Sequence, residues 1–302
     1  MKLRPAFALT ASLSLAAAAG CSRSAIEAVN LANEGDQLRS SALDEAIAKY
    51  EQATLLDATN HRIFWKLAMA HRKKEDWAKV ASTLARAAQI APTFANYYYE
   101  RGYAMEELAA KKQISWADAK EPLKKCSEVD PNYADCWHEL GWVSLWSDDE
   151  QDALANYTKA IEHKADETRY YVRLGELYLT LGYLDQAQQV MKEGLGFVKE
   201  GDKFAYGLHV LLSQVLQQRG QLNDMVAELE AARKVAGDDH PEILYNLGSA
   251  YAVLEPPRKT EAIQMLKGFS TRACRGASGQ AKYKAECETA QAQVARLGGS
   301  MQ

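Results

Sequence analysis

The chain has 302 residues, 47% of them apolar and 25% charged, with 36 Lys and Arg against 40 Asp and Glu for a net charge of −4. That balance excludes a disordered chain, and without a basic stripe there is no electrostatic footprint of a nucleic-acid binder, so no nucleic-acid partner is expected. Seven prolines and eighteen glycines are modest for this length, and good helix formers dominate, the profile of an all-α protein.

Met1-Lys2-Leu3-Arg4 is a positive start, followed over 6–19 by an uncharged apolar run. The run is too short for a bilayer, which needs roughly 20 apolar residues. Residues 1–20 therefore read as a secretory signal peptide. The run ends Ala18-Ala19-Gly20-Cys21, which resembles a bacterial lipobox, departing from it in having Ala18 where Leu is most usual. The resemblance implies a diacylglycerol on the Cys21 sulfur and cleavage just before it. Ser22 in place of Asp implies sorting to the outer membrane; the periplasmic face is the expected side, with surface display the alternative. Several acyl chains anchor firmly, because each buried methylene contributes about 0.8 kcal/mol. The alternative is an ordinary cut after Ala17-Ala18-Ala19 that leaves Cys21 a thiol. Residues 21–26 would be the lipidated cysteine and a short linker.

From 27 onward the chain aligns with itself at a period of 34 residues. Each unit places large apolar residues at its fourth, seventh and eleventh positions and a small one at its eighth. A second helix then carries a small residue at the twentieth, a large one at the twenty-fourth and a small one at the twenty-seventh. The unit at 61–94 shows this with Phe64, Leu67, Ala68, Leu84 and Ala87. The unit at 134–167 has Trp137, Leu140, Gly141, Ala153, Tyr157 and Ala160, and that at 168–201 has Tyr171, Leu174, Gly175, Ala187, Met191 and Gly194. Small residues let two helices approach and large ones fill the gap between them. Gly182 and Gly220 fall in turns inside hairpins, where a positive φ is needed. Pro92, Pro131 and Pro241 separate hairpins.

Three stretches depart from the pattern. The unit at 27–60 keeps Ala46, Tyr50 and Ala53, but its first helix is out of phase, with Asn33, Glu34 and Gln37 at core places. It reads as a degenerate N-terminal repeat or cap. The unit at 95–133 carries about five extra residues around 110–116, lengthening one turn. After the array at 61–273, residues 274–302 read as a disulfide-tied loop, with Arg275-Gly276-Ala277-Ser278-Gly279 poorly able to order itself, and a capping helix over 281–297.

This pattern resembles the tetratricopeptide repeat family. The resemblance implies an all-α, right-handed helical-hairpin solenoid of about six to seven repeats with a C-terminal capping helix. It also implies a concave groove lined by positions two, five, nine and twelve of each unit. Those positions include Trp65, Met69 and Arg72, then Tyr99, Tyr103 and Glu106, then His138 and Trp142, with Trp146 adjacent. An aromatic surface that packing does not demand suits a partner's anchors; cover by a neighbouring helix is the alternative. The basic clamp with which some family members hold a terminal carboxylate is not reproduced.

With Cys21 acylated, four cysteines remain, and the pairs Cys126–Cys136 and Cys274–Cys287 would each close a short loop. Alternatively, Cys126 fills the small twenty-seventh place. The six histidines are scattered among the repeats, and no nucleophile elbow, phosphate loop or metal motif occurs. Asp148-Asp149-Glu150 reads as a solvated turn. No catalytic residue, cofactor or metal is expected. The function these readings point to is a non-enzymatic scaffold for envelope proteins, of the secretin, pilus, secretion or gliding-motility kind, by analogy of architecture and location. Organising peptidoglycan or polysaccharide-export enzymes, or a periplasmic receptor or hydrolase with an unrecognised pocket, are the alternatives.

Overall fold

The computed structural model describes residues 23–237 and 240–300, so the signal segment and Cys21 lie outside the described residues. The chain divides between Tyr97 and Tyr98 into two compact units. Every described element is a helix.

The first unit holds α1 (Arg23–Leu38), α2 (Leu43–Leu56), α3 (His61–Lys73) and α4 (Trp77–Ile90). Each packs on the next as two antiparallel hairpins. The Asp76 carboxylate caps α4 by accepting from the Lys79 N–H at 3.3 Å. The core places of α1 are Ala28, Ala32 and Gly35, while Asn33, Glu34 and Gln37 are exposed. The expectation for this helix was off by one residue. Gly35 lies against Tyr50, fifteen residues on, whereas Gly141 meets Tyr157 and Gly175 meets Met191 sixteen residues on. The first hairpin thus has the ordinary small-against-large contact with a turn one residue shorter.

The second unit runs through α5 (Ala95–Ala110), whose first turn lies at the junction, α6 (Trp116–Val129), α7 (Ala134–Trp146), α8 (Glu150–His163), α9 (Thr168–Thr180) and α10 (Leu184–Gly196). It continues with α11 (Ala205–Gln218), α12 (Leu222–Ala236), α13 (Glu242–Val253), α14 (Lys259–Ala273), α15 (Gly276–Lys282) and α16 (Lys284–Arg296). Helices pack in chain order, within hairpins and then from one hairpin to the next, which is the stacking of a solenoid. Gly102 against Leu123 and Gly248 against Leu266 repeat the small-against-large contact at separations of twenty-one and eighteen residues. The extra residues sit in the turns and leave the helix pairing intact.

Five turns inside hairpins share one geometry. Glu75, Lys112, Asp148, Gly182 and Gly220 all have φ between 57° and 77°. In each, the next residue's N–H returns to a carbonyl five residues back, as in Asp149 to Ser144 and Gln221 to Leu216. This is a Schellman cap, which ends a helix through one left-handed residue. The two glycines suit it, and the three others adopt it despite a Cβ.

Both cysteine pairs are bridged. Cys126–Cys136 joins α6 to α7 with Cα atoms 5.8 Å apart, and Cys274–Cys287 joins the end of α14 to α16 at 5.9 Å. Residues 276–279 are helical, not the unordered loop expected, and 281–297 is not one helix, because the backbone turns at Tyr283 between α15 and α16. α16 buries Cys287, Ala290 and Val294 against α13 and α14, covering the last hairpin.

A candidate partner-binding cleft

In the first unit, Trp65, Met69 and Arg72 share one face of α3 and are half-buried. The Trp65 ring packs against Tyr97, centroids 5.4 Å apart. In the second unit, Tyr99 packs on Tyr133 at 5.3 Å, and burial raises its hydroxyl pKa. Tyr103, His138 and Trp142 come together in a cleft of about 640 Å³ where α5, α7 and α9 meet. Trp146 extends it: the residue is 52% exposed, and its ring lies 5.5 Å from Trp142 and stacks on Trp116 at 5.4 Å. Trp116 opens α6 just after the lengthened turn, so the inserted residues deliver an indole to this wall.

The cleft holds more charge than the aromatic pattern suggests. Glu106 is only 6% exposed, and its Oε1 is buried without a hydrogen-bond partner. Burial, with Glu139 and Glu107 nearby, pushes its carboxyl up to about 10, so it is protonated at neutral pH. His138 is buried too. Its Nδ1 lies 3.1 Å from a Glu139 oxygen, its ring packs between Tyr157 and Tyr170, and its Nε2 has no partner. The Tyr157 hydroxyl is likewise buried and unpaired, and burial raises its pKa.

Two arginines from α9 complete the lining. Arg169 donates to Asp135, which also accepts from the Tyr170 hydroxyl, and lies 3.8 Å from Glu139 and 3.6 Å from Glu167. Arg173 pairs with Glu176 at 3.0 Å and sits over the Trp142 ring, 4.5 Å from its centroid. Arg169 occupies position two of its repeat, 34 residues after Asp135, so the groove rule was the signal that could have found it. Trp116 had no such signal, because it lies in an insertion.

Among the described residues, no group of three or more His, Cys, Asp or Glu could hold a metal ion, and no helix is long and apolar enough to cross a membrane. Asp149 of the acidic turn caps α8, accepting from the Asp152 N–H at 3.2 Å, and pairs with Lys120 at 3.1 Å.

The tetratricopeptide repeat model matches residues 168–197, which span α9 and α10. None of the curated proteins matches the chain. Among solved structures, the C-terminal part of a TPR repeat-containing protein from Cytophaga hutchinsonii is 12% identical with a TM-score of 0.64, covering 82% of this chain and 97% of that one. PilF of Pseudomonas aeruginosa is 12% identical with a TM-score of 0.53, covering 70% and 93%. YrrB, described as a TPR protein with an unusual peptide-binding site, is 17% identical with a TM-score of 0.50, covering 68% and 99%. At these identities the likeness is one of fold. One repeat is matched in sequence, over 168–197, and the helix pairs around it share the fold of solved tetratricopeptide-repeat structures.

Proposed function

We propose that the chain is a non-enzymatic scaffold that holds other proteins, and that it works as a lipid-anchored component of a bacterial envelope complex of the secretin, pilus, secretion or gliding kind. The observation that carries the scaffold reading is the cleft of the second unit. Tyr103, Trp116, Trp142 and Trp146 gather there, beyond what the small-against-large helix contacts require, and Trp146 stays half exposed. Aromatic side chains in a partly desolvated cleft are the usual anchors of protein recognition. That a fold relative is described as having a peptide-binding site favours the same reading. The envelope part rests on the signal-like start and Cys21.

The experiment is co-purification from membranes of the producing cells, followed by mass spectrometry, with wild-type chain, Trp142→Ala and Trp65→Ala side by side. Trp142→Ala is expected to lose specific proteins at least tenfold while its circular dichroism stays helical. Trp65→Ala asks separately whether the first unit takes part. A set of captured proteins identical to wild type in both variants would remove the aromatic faces from the proposal.

A further inference from the structure

The same cleft carries a statement about its ligand's chemistry. Four carboxyls line it, Glu106, Glu107, Glu139 and Glu176, against two guanidiniums. Both guanidiniums are already engaged: Arg169 by Asp135, Glu139 and Glu167, Arg173 by Glu176 and the Trp142 face. Glu106 is left without a basic partner, and the charges acting on it are of its own sign.

Two buried side-chain atoms also lack a hydrogen-bond partner, Glu106 Oε1 and His138 Nε2, and an ionised Glu106 can only accept. An anionic anchor would add like charge here, and an apolar one would leave both buried polar atoms unmet at the desolvation penalty of each. An ammonium or guanidinium brings donors only, together with the missing charge.

We propose that this cleft receives a single cationic side chain, lysine or arginine, from a segment of a partner protein, with Glu106 as its counter-ion and the rings of Tyr103 and Trp142 as walls. The proposal rests on the protein-binding reading above and names the anchor. A cation arriving beside Glu106 favours the carboxylate, so Glu106 releases one proton to the buffer as the ion pair forms. The groups that set this exchange are Tyr103 and Glu107 on α5, His138 and Glu139 on α7, Tyr157 on α8, and Arg169, Arg173 and Glu176 on α9.

The test titrates the whole protein with acetyl-alanyl-lysyl-alanine amide while following tryptophan fluorescence, since three indoles line or adjoin the cleft. The control replaces lysine by norleucine, which keeps the stem and removes the charge. Wild type is expected to bind the lysine probe saturably and at least tenfold more tightly than the norleucine probe. Glu106→Gln should weaken the lysine probe at least tenfold with its helical content unchanged. Calorimetry at pH 7.5 in two buffers of different ionisation enthalpy should show about one proton released per lysine probe bound by wild type, and none by Glu106→Gln. Equal affinity for the two probes, no saturable signal with lysine, or an unaltered Glu106→Gln variant would overturn the proposal. Membrane co-purification keeps it separable from the reading beneath it. Partners lost by Trp142→Ala but kept by Glu106→Gln overturn the cationic anchor alone, whereas partners kept by both overturn the use of the cleft altogether.

Discussion

Glu106 shows at the residue scale how a binding site weakens the fold that carries it. A carboxyl that ionises near its ordinary 4.5 in the unfolded chain, and near 10 in the folded one, holds its proton only when folded. Its stability contribution is therefore complete below pH 4.5 and declines as pH rises toward 10, at roughly 1.4 kcal/mol per pH unit. Thermal melts between pH 5.5 and 8.5 should show this decline, and Glu106→Gln, which cannot ionise, should flatten it. Identical pH slopes in the two proteins would mean that Glu106 is not held neutral. The helix contacts give a second test. A Cβ at Gly141 would sit 2.8 Å from the Tyr157 ring, so Gly141→Ala should destabilise by about 1–3 kcal/mol through overpacking, despite alanine's better helix propensity. Urea unfolding that leaves the variant as stable as wild type would show that α7 and α8 separate easily. The Gly141 and Tyr157 places were legible because each recurs one period away, as Gly175 and Met191. The state of Glu106 was not: position twelve of a groove helix reads as facing the ligand, and only packing from α7 and its acidic neighbours reveals a buried, neutral acid.

At the scale of the element, the hairpin turns reuse one cap with unequal residues. Gly182 and Gly220 adopt the left-handed geometry freely, whereas Glu75, Lys112 and Asp148 hold it with a side chain attached. Glu75→Gly and Lys112→Gly should each raise stability by about 0.5–1 kcal/mol, the relief of left-handed strain exceeding the entropy that glycine adds to the unfolded chain. Differential scanning calorimetry would register this as a higher melting temperature; a lower one would place the strain elsewhere. The two glycine turns could be read from the amino acids. The turns at Lys112 and Asp148 were also placed, but that Glu75, Lys112 and Asp148 hold a left-handed cap was not legible, and only the returning hydrogen bond exposes it. For the same reason α1 was misjudged. A fixed period of 34 cannot register a turn shortened by one residue, although Ala28, Ala32 and Gly35 already had helical spacing. Trp116 was invisible as a cleft residue because an insertion has no counterpart one period away from which its surroundings could be inferred.

For the whole molecule, the repeat pattern makes most of the fold readable, since within each unit a hairpin borrows its packing partner from the next and few long-range pairings need be guessed. The bridge at Cys274–Cys287 adds a covalent tie where α14 gives way to the covering helix. Attachment to the envelope is a separate matter, resting on Cys21. Cells labelled with radioactive palmitate should incorporate it into the wild-type chain and not into Cys21→Ser, and the variant should leave the membrane fraction. Label in neither protein would point to the ordinary signal-peptide cut and a free thiol.

The spacing between facing residues varies from fifteen at Gly35–Tyr50 to twenty-one at Gly102–Leu123, yet the helices meet in the same way. The hairpin bends are therefore permissive sites, where evolution can append recognition surface without renegotiating the core, and where an engineer can do likewise. A short epitope tag spliced after Lys112 lengthens a bend that is already long, and would report the protein's whereabouts in living cells while the helices beside it stay in register.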